Sequence, residues 1–108
     1  MTTLDATLGA SVVQAPVSFS SAGDNIVIAG VAGKRIKVLQ YFWVISAVAN
    51  LIFKSGTTAL SGTLEFPSAG SDVQDFIQLP INCNIGDAFI INLSTTVTVG
   101  GIIWYIQS

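Results

Sequence analysis

The sequence predicts an all-β fold, a single antiparallel β-sandwich, from three observations. β-Branched residues dominate, and no apolar stripe with a 3.6-residue period lasts three turns. Turn-forming residues interrupt the chain at short, roughly regular intervals, which is typical of small sandwiches and barrels. The 108 residues fit one domain, and the combination of 51% hydrophobic with 9% charged residues excludes a disordered chain.

About eight short segments lie between the turn signals. Those signals, rich in Gly, Ser, Asp and Pro, fall at residues 21–24, 30–33, 55–57, 61–62, 67–71, 80, 84–87, 94–95 and 100–101. Eight strands without crossover helices fit a jelly roll, in which two antiparallel sheets are joined by Greek-key links. An immunoglobulin-like sandwich is the alternative, although one cysteine cannot supply the disulfide of antibody domains. We predict an N-terminal arm at 1–10 and the sandwich at 11–108.

The segment from Lys34 to Asn50 is apolar on both faces of the strand that it predicts. One alternate set contains Ile36, Val38, Phe42 and Val44, and the other contains Leu39, Tyr41, Trp43 and Ile45. A strand with one face in water should instead alternate apolar and polar residues. The C-terminal run 102–106 has the same property, and the mean hydropathy of +0.70 is high for a monomer. We therefore predict that the second apolar face packs against a neighbouring subunit.

The predicted interface draws on these two segments and on the basic cluster at residues 34–37. The cluster is either a charged entry to a strand or an anchor on an acidic neighbouring surface. The candidate interface residues are Tyr41, Trp43, Ile45, Lys34, Arg35, Lys37, Ile102, Trp104 and Ile106.

Composition argues against catalysis, metal binding and nucleic-acid binding. The chain has no histidine, which is the commonest general base and metal ligand, and four basic residues against six acidic give a net charge of −2. Cys83 is the single cysteine and has no basic neighbour, so we expect an inert thiol. Asp72 and Asp75 could contribute to a Ca²⁺ site, but a solvated loop explains them more simply. We expect no enzyme activity, no cofactor and no metal.

The N-terminus lacks the features of a signal peptide, and no apolar run is long enough for a spanning helix. We therefore expect no membrane partner and folding in a cytoplasm. Aromatic residues on a sheet face can stack on sugars, so a carbohydrate-binding module is an open alternative. The neighbours of Trp43 and Trp104 along their own strands favour a core or an interface. Those neighbours are Tyr41, Ile45, Ile102 and Ile106.

Several segments resemble, in the same order, a pattern of small structural proteins of tailed bacteriophages. The segments are Gly33-Lys34-Arg35-Ile36-Lys37-Val38-Leu39, residues 50–62 (NLIFKSGTTALSG), residues 86–94 (GDAFIINLS) and residues 97–101 (VTVGG). The likeness covers roughly residues 20 to 106 and implies a jelly-roll sandwich, often trimeric, without catalytic residues. Such proteins act as capsid cement or as parts of tails and fibres.

The resemblance implies a non-enzymatic virion protein, and we expect a capsid cement or decoration protein that oligomerises. Its partners would be further copies of the chain, as a trimer, and the major capsid protein, on the capsid surface of a virion made in the host cytoplasm. The alternative is a tail or fibre module that binds a glycan of the host surface.

Overall fold

The computed structural model describes residues 12–75 and 80–108, and over these residues the chain forms β-strands and no helix. The strands are β1 (Val13–Phe19), β2 (Gly23–Ile28), β3 (Ile36–Ile45), β4 (Ala49–Ser55), β5 (Thr58–Ala59), β6 (Leu64–Phe66), β7 (Gly70–Asp75), β8 (Ile81–Asn82), β9 (Phe89–Leu93) and β10 (Val99–Gln107). They form two antiparallel sheets packed as a sandwich, which confirms the predicted fold class. The predicted arm at 1–10 lies outside the described residues.

The strand order is that of a jelly roll. The first sheet has the order β1-β10-β3-β7, with β8 also paired to β3, and the second has the order β2-β9-β4-β5, with β6 also paired to β4. The first strand therefore neighbours the last, and the second neighbours the last but one, as two Greek keys require. In an immunoglobulin-like sandwich the first two strands share a sheet, whereas here β1 and β2 lie in different sheets. The immunoglobulin-like alternative does not fit this order.

Aromatic rings fill the centre of the core. The rings of Tyr41 and Trp43, two residues apart on β3, stack in parallel with centroids 3.7 Å apart. Phe53 comes from β4 in the second sheet and meets both rings edge-on, at 5.7 and 5.8 Å. Phe89 on β9 packs against Phe53 at 5.7 Å. Each edge-on contact of this kind contributes about 0.5–1.5 kcal/mol to the stability of the fold beyond the burial of apolar area.

A bulge in β3 changes which residues of that strand are buried. Trp104 of β10 pairs with Gln40 and Tyr105 pairs with Val38, so Leu39 is the extra residue between them. An extra residue breaks the strict alternation of sides. Val38 and Leu39 are consequently both buried, at 0% exposure each.

Gly101 lies inside a strand, although the sequence places it in a turn with Gly100. It belongs to β10 and pairs with Trp43 on one side and Val17 on the other. A Cβ at this position would overlap the carbonyl oxygen of Phe42. Glycine therefore lets β10 and β3 approach closely at the centre of the first sheet. Close approach of another backbone is one of the usual reasons for a glycine inside a strand.

We predict that Trp43→Ala lowers the free energy of unfolding by about 3–5 kcal/mol, because it leaves a cavity between the two sheets. Ile26→Ala is the matched control, since Ile26 is 68% exposed on the other sheet. It should cost less than about 1 kcal/mol. Urea titration of both variants measures the difference, and equal losses would contradict the assignment of Trp43 to the core.

Candidate interaction surface

The residues that alternate with core positions on β1, β10 and β3 point out of the sandwich. The register of the three strands arranges them in rows across the sheet. The rows are Gln14–Trp104–Gln40, Pro16–Ile102–Phe42 and Ser18–Gly100–Val44. We call these residues the outer face of the first sheet. None of these nine residues has an ionisable side chain, but Lys37, the outward residue of β3 between Ile36 and Val38, lies beyond the row of Gln40.

The centre of this face is apolar and open to solvent. Phe42 is 38% exposed and Val44 is 47% exposed, while Ile102 and Trp104 are half-buried. The indole Nε1 of Trp104 donates a hydrogen bond to Oε1 of Gln14 at 3.1 Å. Amides at the margin and aromatic and aliphatic groups in the middle are the usual make-up of a protein interface.

The outer face of the second sheet has a different chemistry. Nζ of Lys54 forms an ion pair with the carboxylate of Asp24 at 2.9 Å, and Nδ2 of Asn92 donates to Oδ1 of Asp24 at 2.8 Å. These hydrogen bonds, that of Asn92 first and that of Lys54 second, lower the pKa of Asp24. Ile26 lies on the same face and is 68% exposed. Charges and their hydrogen bonds thus occupy part of the second sheet's outer surface.

Three predicted interface residues turn out to face the core of their own chain. Tyr41, Trp43 and Ile45 are 2%, 1% and 1% exposed, so they cannot contact a neighbouring subunit. Their burial corrects that part of the prediction. The exposed members of the segment are Phe42 and Val44, which the interface prediction missed. The alternate set that contains Phe42 and Val44 is as apolar as the set that contains Tyr41. Alternation alone does not say which of the two sets faces inward.

The C-terminal strand separates the other apolar candidates. Ile102 and Trp104 lie on the outer face of the first sheet, whereas Ile106 is only 3% exposed and is not available to a partner. The prediction for Ile106 is corrected in the same way. The sequence does not indicate that Gln14 and Gln40 are neighbours of Trp104, because they belong to other strands.

The basic cluster lies at one end of β3, away from the apolar centre. The backbone of Arg35 exchanges two hydrogen bonds with Ser108, at 2.9 and 3.1 Å, so this end is tied to the last strand. Lys34 is exposed, and Lys37 is half-buried. Lys37 pairs with Ile106, two residues from Trp104 on β10, so it lies at the margin of the outer face. Lys34 and Arg35 precede β3 and are not part of that face.

Cys83 lies in a buried corner beside a fully buried serine. Cys83 is 2% exposed, and its burial raises the pKa of the thiol to about 11. Oγ of Ser55 donates to Oδ2 of Asp87 at 2.8 Å and accepts from the backbone N–H of Asn84 at 2.8 Å. These bonds hold the loop before β9 against β4. A protonated, enclosed thiol is a poor nucleophile, which agrees with the predicted inert cysteine.

Two further sequence features can be placed only in part. Asp72 and Asp75 belong to β7, rather than to a solvated loop, but their side chains lie outside the described part of the structure. Within the described residues, no three or more acidic or cysteine side chains are close enough to hold a metal ion. The same residues contain no helix that is long and apolar enough to cross a membrane.

Comparison with known proteins yields a weak structural likeness. No protein-family model and no curated protein matches the chain. Among solved structures, it is similar to a chain from Bacillus endospore appendages, which are described as a novel family of disulfide-linked pili. The two are 14% identical, the match covers 91% of this chain and 88% of that one, and the TM-score is 0.49. A likeness of this size supports no conclusion about function.

We predict that stability falls as the pH rises from the ordinary thiol value of 9.0 towards about 11. In this window the unfolded chain releases the Cys83 proton while the folded chain keeps it, so deprotonation favours unfolding. Other groups titrate here as well, so the measured quantity is the difference between the wild type and Cys83→Ala in urea titrations at each pH. A difference that does not change with pH would contradict the raised pKa.

Proposed function

We propose that this chain is a non-enzymatic structural subunit of a bacteriophage virion, a capsid cement or decoration protein that self-associates. The observation that carries the proposal is the outer face of the first sheet. It combines exposed Phe42 and Val44 with half-buried Ile102 and Trp104. A surface of this kind on a single small domain is typical of a protein that works by contact with other proteins.

The rigidity of the platform supports the proposal. β10 and β3 pair over most of their length, and their inward residues are locked by the stacked rings of Tyr41 and Trp43. A surface held on paired strands loses little conformational entropy when it binds. Attachment at many lattice points also lets modest single contacts add up. A small subunit with a stiff, largely apolar face is therefore suited to cover contacts between neighbouring shell proteins.

The chemistry of the side chains also favours contact over catalysis. The chain has no histidine. The thiol of Cys83 has a raised pKa, and the hydroxyl of Ser55 is committed to Asp87 at 2.8 Å. Nucleophilic catalysis needs a base that activates such a group, and a carboxylate next to a buried hydroxyl is a weak one. The resemblance to small phage structural proteins points in the same direction.

We predict that the purified chain binds capsids that lack it and raises the temperature at which they disrupt. Capsids and separately purified tails of the encoding phage are mixed with the chain, and co-sedimentation is measured for each. Saturable binding to capsids with a shift in disruption temperature is the expected result. Binding to tails and not to capsids would replace cement with a tail role, and binding to neither would refute the virion proposal.

A second candidate function, binding of a host-surface glycan, is favoured by the surroundings of Trp104. Its neighbours along β10 are apolar, but across the sheet it lies between Gln14 and Gln40, and Nε1 of Trp104 bonds to the Gln14 side chain at 3.1 Å. An aromatic ring flanked by amides suits a sugar, since the ring can stack on the sugar and the amides can bond to its hydroxyl groups.

If the chain binds glycans, a glycan array will show binding that Trp104→Ala removes. Ile26→Ala, on the outer face of the second sheet, is the control and should retain the full signal. An array without binding by the folded wild type, or equal binding by both variants, would eliminate this second candidate.

A further inference from the structure

Two loops meet at one end of the sandwich and form a single surface. Residues 29–35 join β2 to β3, and residues 83–88 join β8 to β9. Gly30 of the first loop approaches the second loop so closely that a Cβ there would overlap the carbonyl oxygen of Gly86. The backbone N–H of Gly86 also donates to the carbonyl oxygen of Lys34 at 2.7 Å. We call this surface the loop end and define it by four side chains, those of Val31, Lys34, Arg35 and Ile85.

Backbone hydrogen bonds fix the shape of both loops. The N–H of Lys34 donates to the carbonyl oxygen of Val31 at 3.0 Å, and the N–H of Asp87 donates to that of Asn84 at 3.1 Å. Gly33 in the first of these turns has a φ of 77°, a conformation that glycine adopts without strain. The side chains of the loop end therefore stand on a defined backbone, and little conformational entropy is lost when they bind a partner.

The positive charges of the loop end are not balanced within the chain. Among the side chains that the structure describes, neither Lys34 nor Arg35 forms an ion pair, whereas Lys54 on the second sheet is paired with Asp24 at 2.9 Å. Lys34 is exposed, and the described residues supply no acceptor to Nε of Arg35. Two cations thus lie side by side without a counter-charge in a chain whose net charge is −2.

The groups next to these cations do not compensate them. Asp87 of the second loop is half-buried, and its carboxylate accepts a hydrogen bond from Oγ of Ser55 at 2.8 Å. Ser108 meets Arg35 through two backbone hydrogen bonds and not through an ion pair. Lys37 belongs to the margin of the outer face and not to the loop end. The electrostatic complement of Lys34 and Arg35 is therefore an anionic group on another molecule.

Aliphatic side chains lie beside the cations and narrow the choice of partner. Val31 on the first loop is 43% exposed, and Ile85 on the second is 60% exposed. A surface that combines cations with aliphatic groups fits a partner that presents carboxylates next to apolar groups. An acidic patch on a protein has both of these features, and opposite charges across such a contact set its orientation and its rate of association.

The other common anionic partners fit the loop end less well. A phosphate backbone offers no apolar counterpart to Val31 and Ile85, and a chain of net charge −2 is repelled by a long polyanion. Membrane interfaces favour aromatic side chains and clusters of four to eight basic residues. Residues 29–35 and 83–88 contain no aromatic residue, and only Lys34 and Arg35 among them are basic.

We infer that the loop end binds an acidic patch on another protein. Lys34 and Arg35 meet carboxylates of the partner, and Val31 and Ile85 pack against aliphatic groups at the margin of the patch. The inference rests on the proposed function and deepens it, because it names the chemistry of the shell surface that the subunit recognises. It also decides between the two interpretations of the basic cluster in the sequence, in favour of the anchor.

The first test uses hexaglutamate peptide as a probe of defined chemistry. The peptide is titrated into the chain labelled with nitrogen-15, and amide chemical shifts are recorded at low and at high salt. Shifts should concentrate at residues 31–36 and 84–87 and disappear at high salt. Lys34→Gln should weaken binding about threefold to fivefold, the factor expected for one exposed ion pair. Lys54→Gln is the matched control, since it removes the same charge from the second sheet, and it should bind like the wild type.

The second test repeats the comparison with capsids that lack the chain. Co-sedimentation of the wild type, Lys34→Gln and Lys54→Gln is measured over a range of salt concentrations. Lys34→Gln should occupy fewer sites than the wild type at low salt, and Lys54→Gln should occupy the same number. The difference between the two variants should shrink as salt screens the contact.

Several results would overturn the inference. They are hexaglutamate binding that is absent or lies elsewhere on the chain, equal losses in the two variants, and binding to duplex DNA or phosphatidylserine vesicles without binding to the peptide. Failure of the contact is distinguishable from failure of the proposed function. Capsid binding that Lys34→Gln leaves intact keeps the function and refutes the contact. Peptide binding at the loop end without binding to capsids or tails keeps the acidic partner and refutes the virion role.

Discussion

The close antiparallel pairing of β3 with β10 in the middle of the first sheet sets the positions of both the core and the outer face. Gly101 permits that approach, because a side chain there would overlap the backbone of Phe42. With the strands in register, Tyr41 and Trp43 stack inward and meet Phe53 from the second sheet. The same register directs the intervening residues outward. One pairing thus defines the core and the exposed apolar surface together.

The outer faces of the two sheets differ in the chemistry of their side chains. On the second sheet, Asp24, Lys54 and Asn92 form a connected polar group that water can solvate. On the first sheet, aliphatic and aromatic side chains form the centre and amides flank it. Solvent-exposed ion pairs contribute little to stability but keep a surface soluble. The contrast is understandable if one face remains in water and the other meets protein.

The polar groups around Ser55 and Cys83 have a structural role. Ser55 is fully buried, and its hydroxyl joins Asp87 and the backbone of Asn84. Replacing Asp87 would leave the proton of the buried Ser55 hydroxyl without this acceptor, which is costly. Cys83 is enclosed beside them with a raised pKa. These contacts therefore hold the loop before β9 against β4.

Composition and local periodicity are enough to predict the all-β class, the strands that are apolar on both sides and the lack of histidine chemistry. The tertiary structure decided that Trp43 faces inward and Phe42 outward, that Leu39 is the extra residue of a bulge, and that Gln14 lies beside Trp104. A period of two says that neighbours point in opposite directions but not which one meets the core. Only the pairing of strands distant in sequence supplies that information.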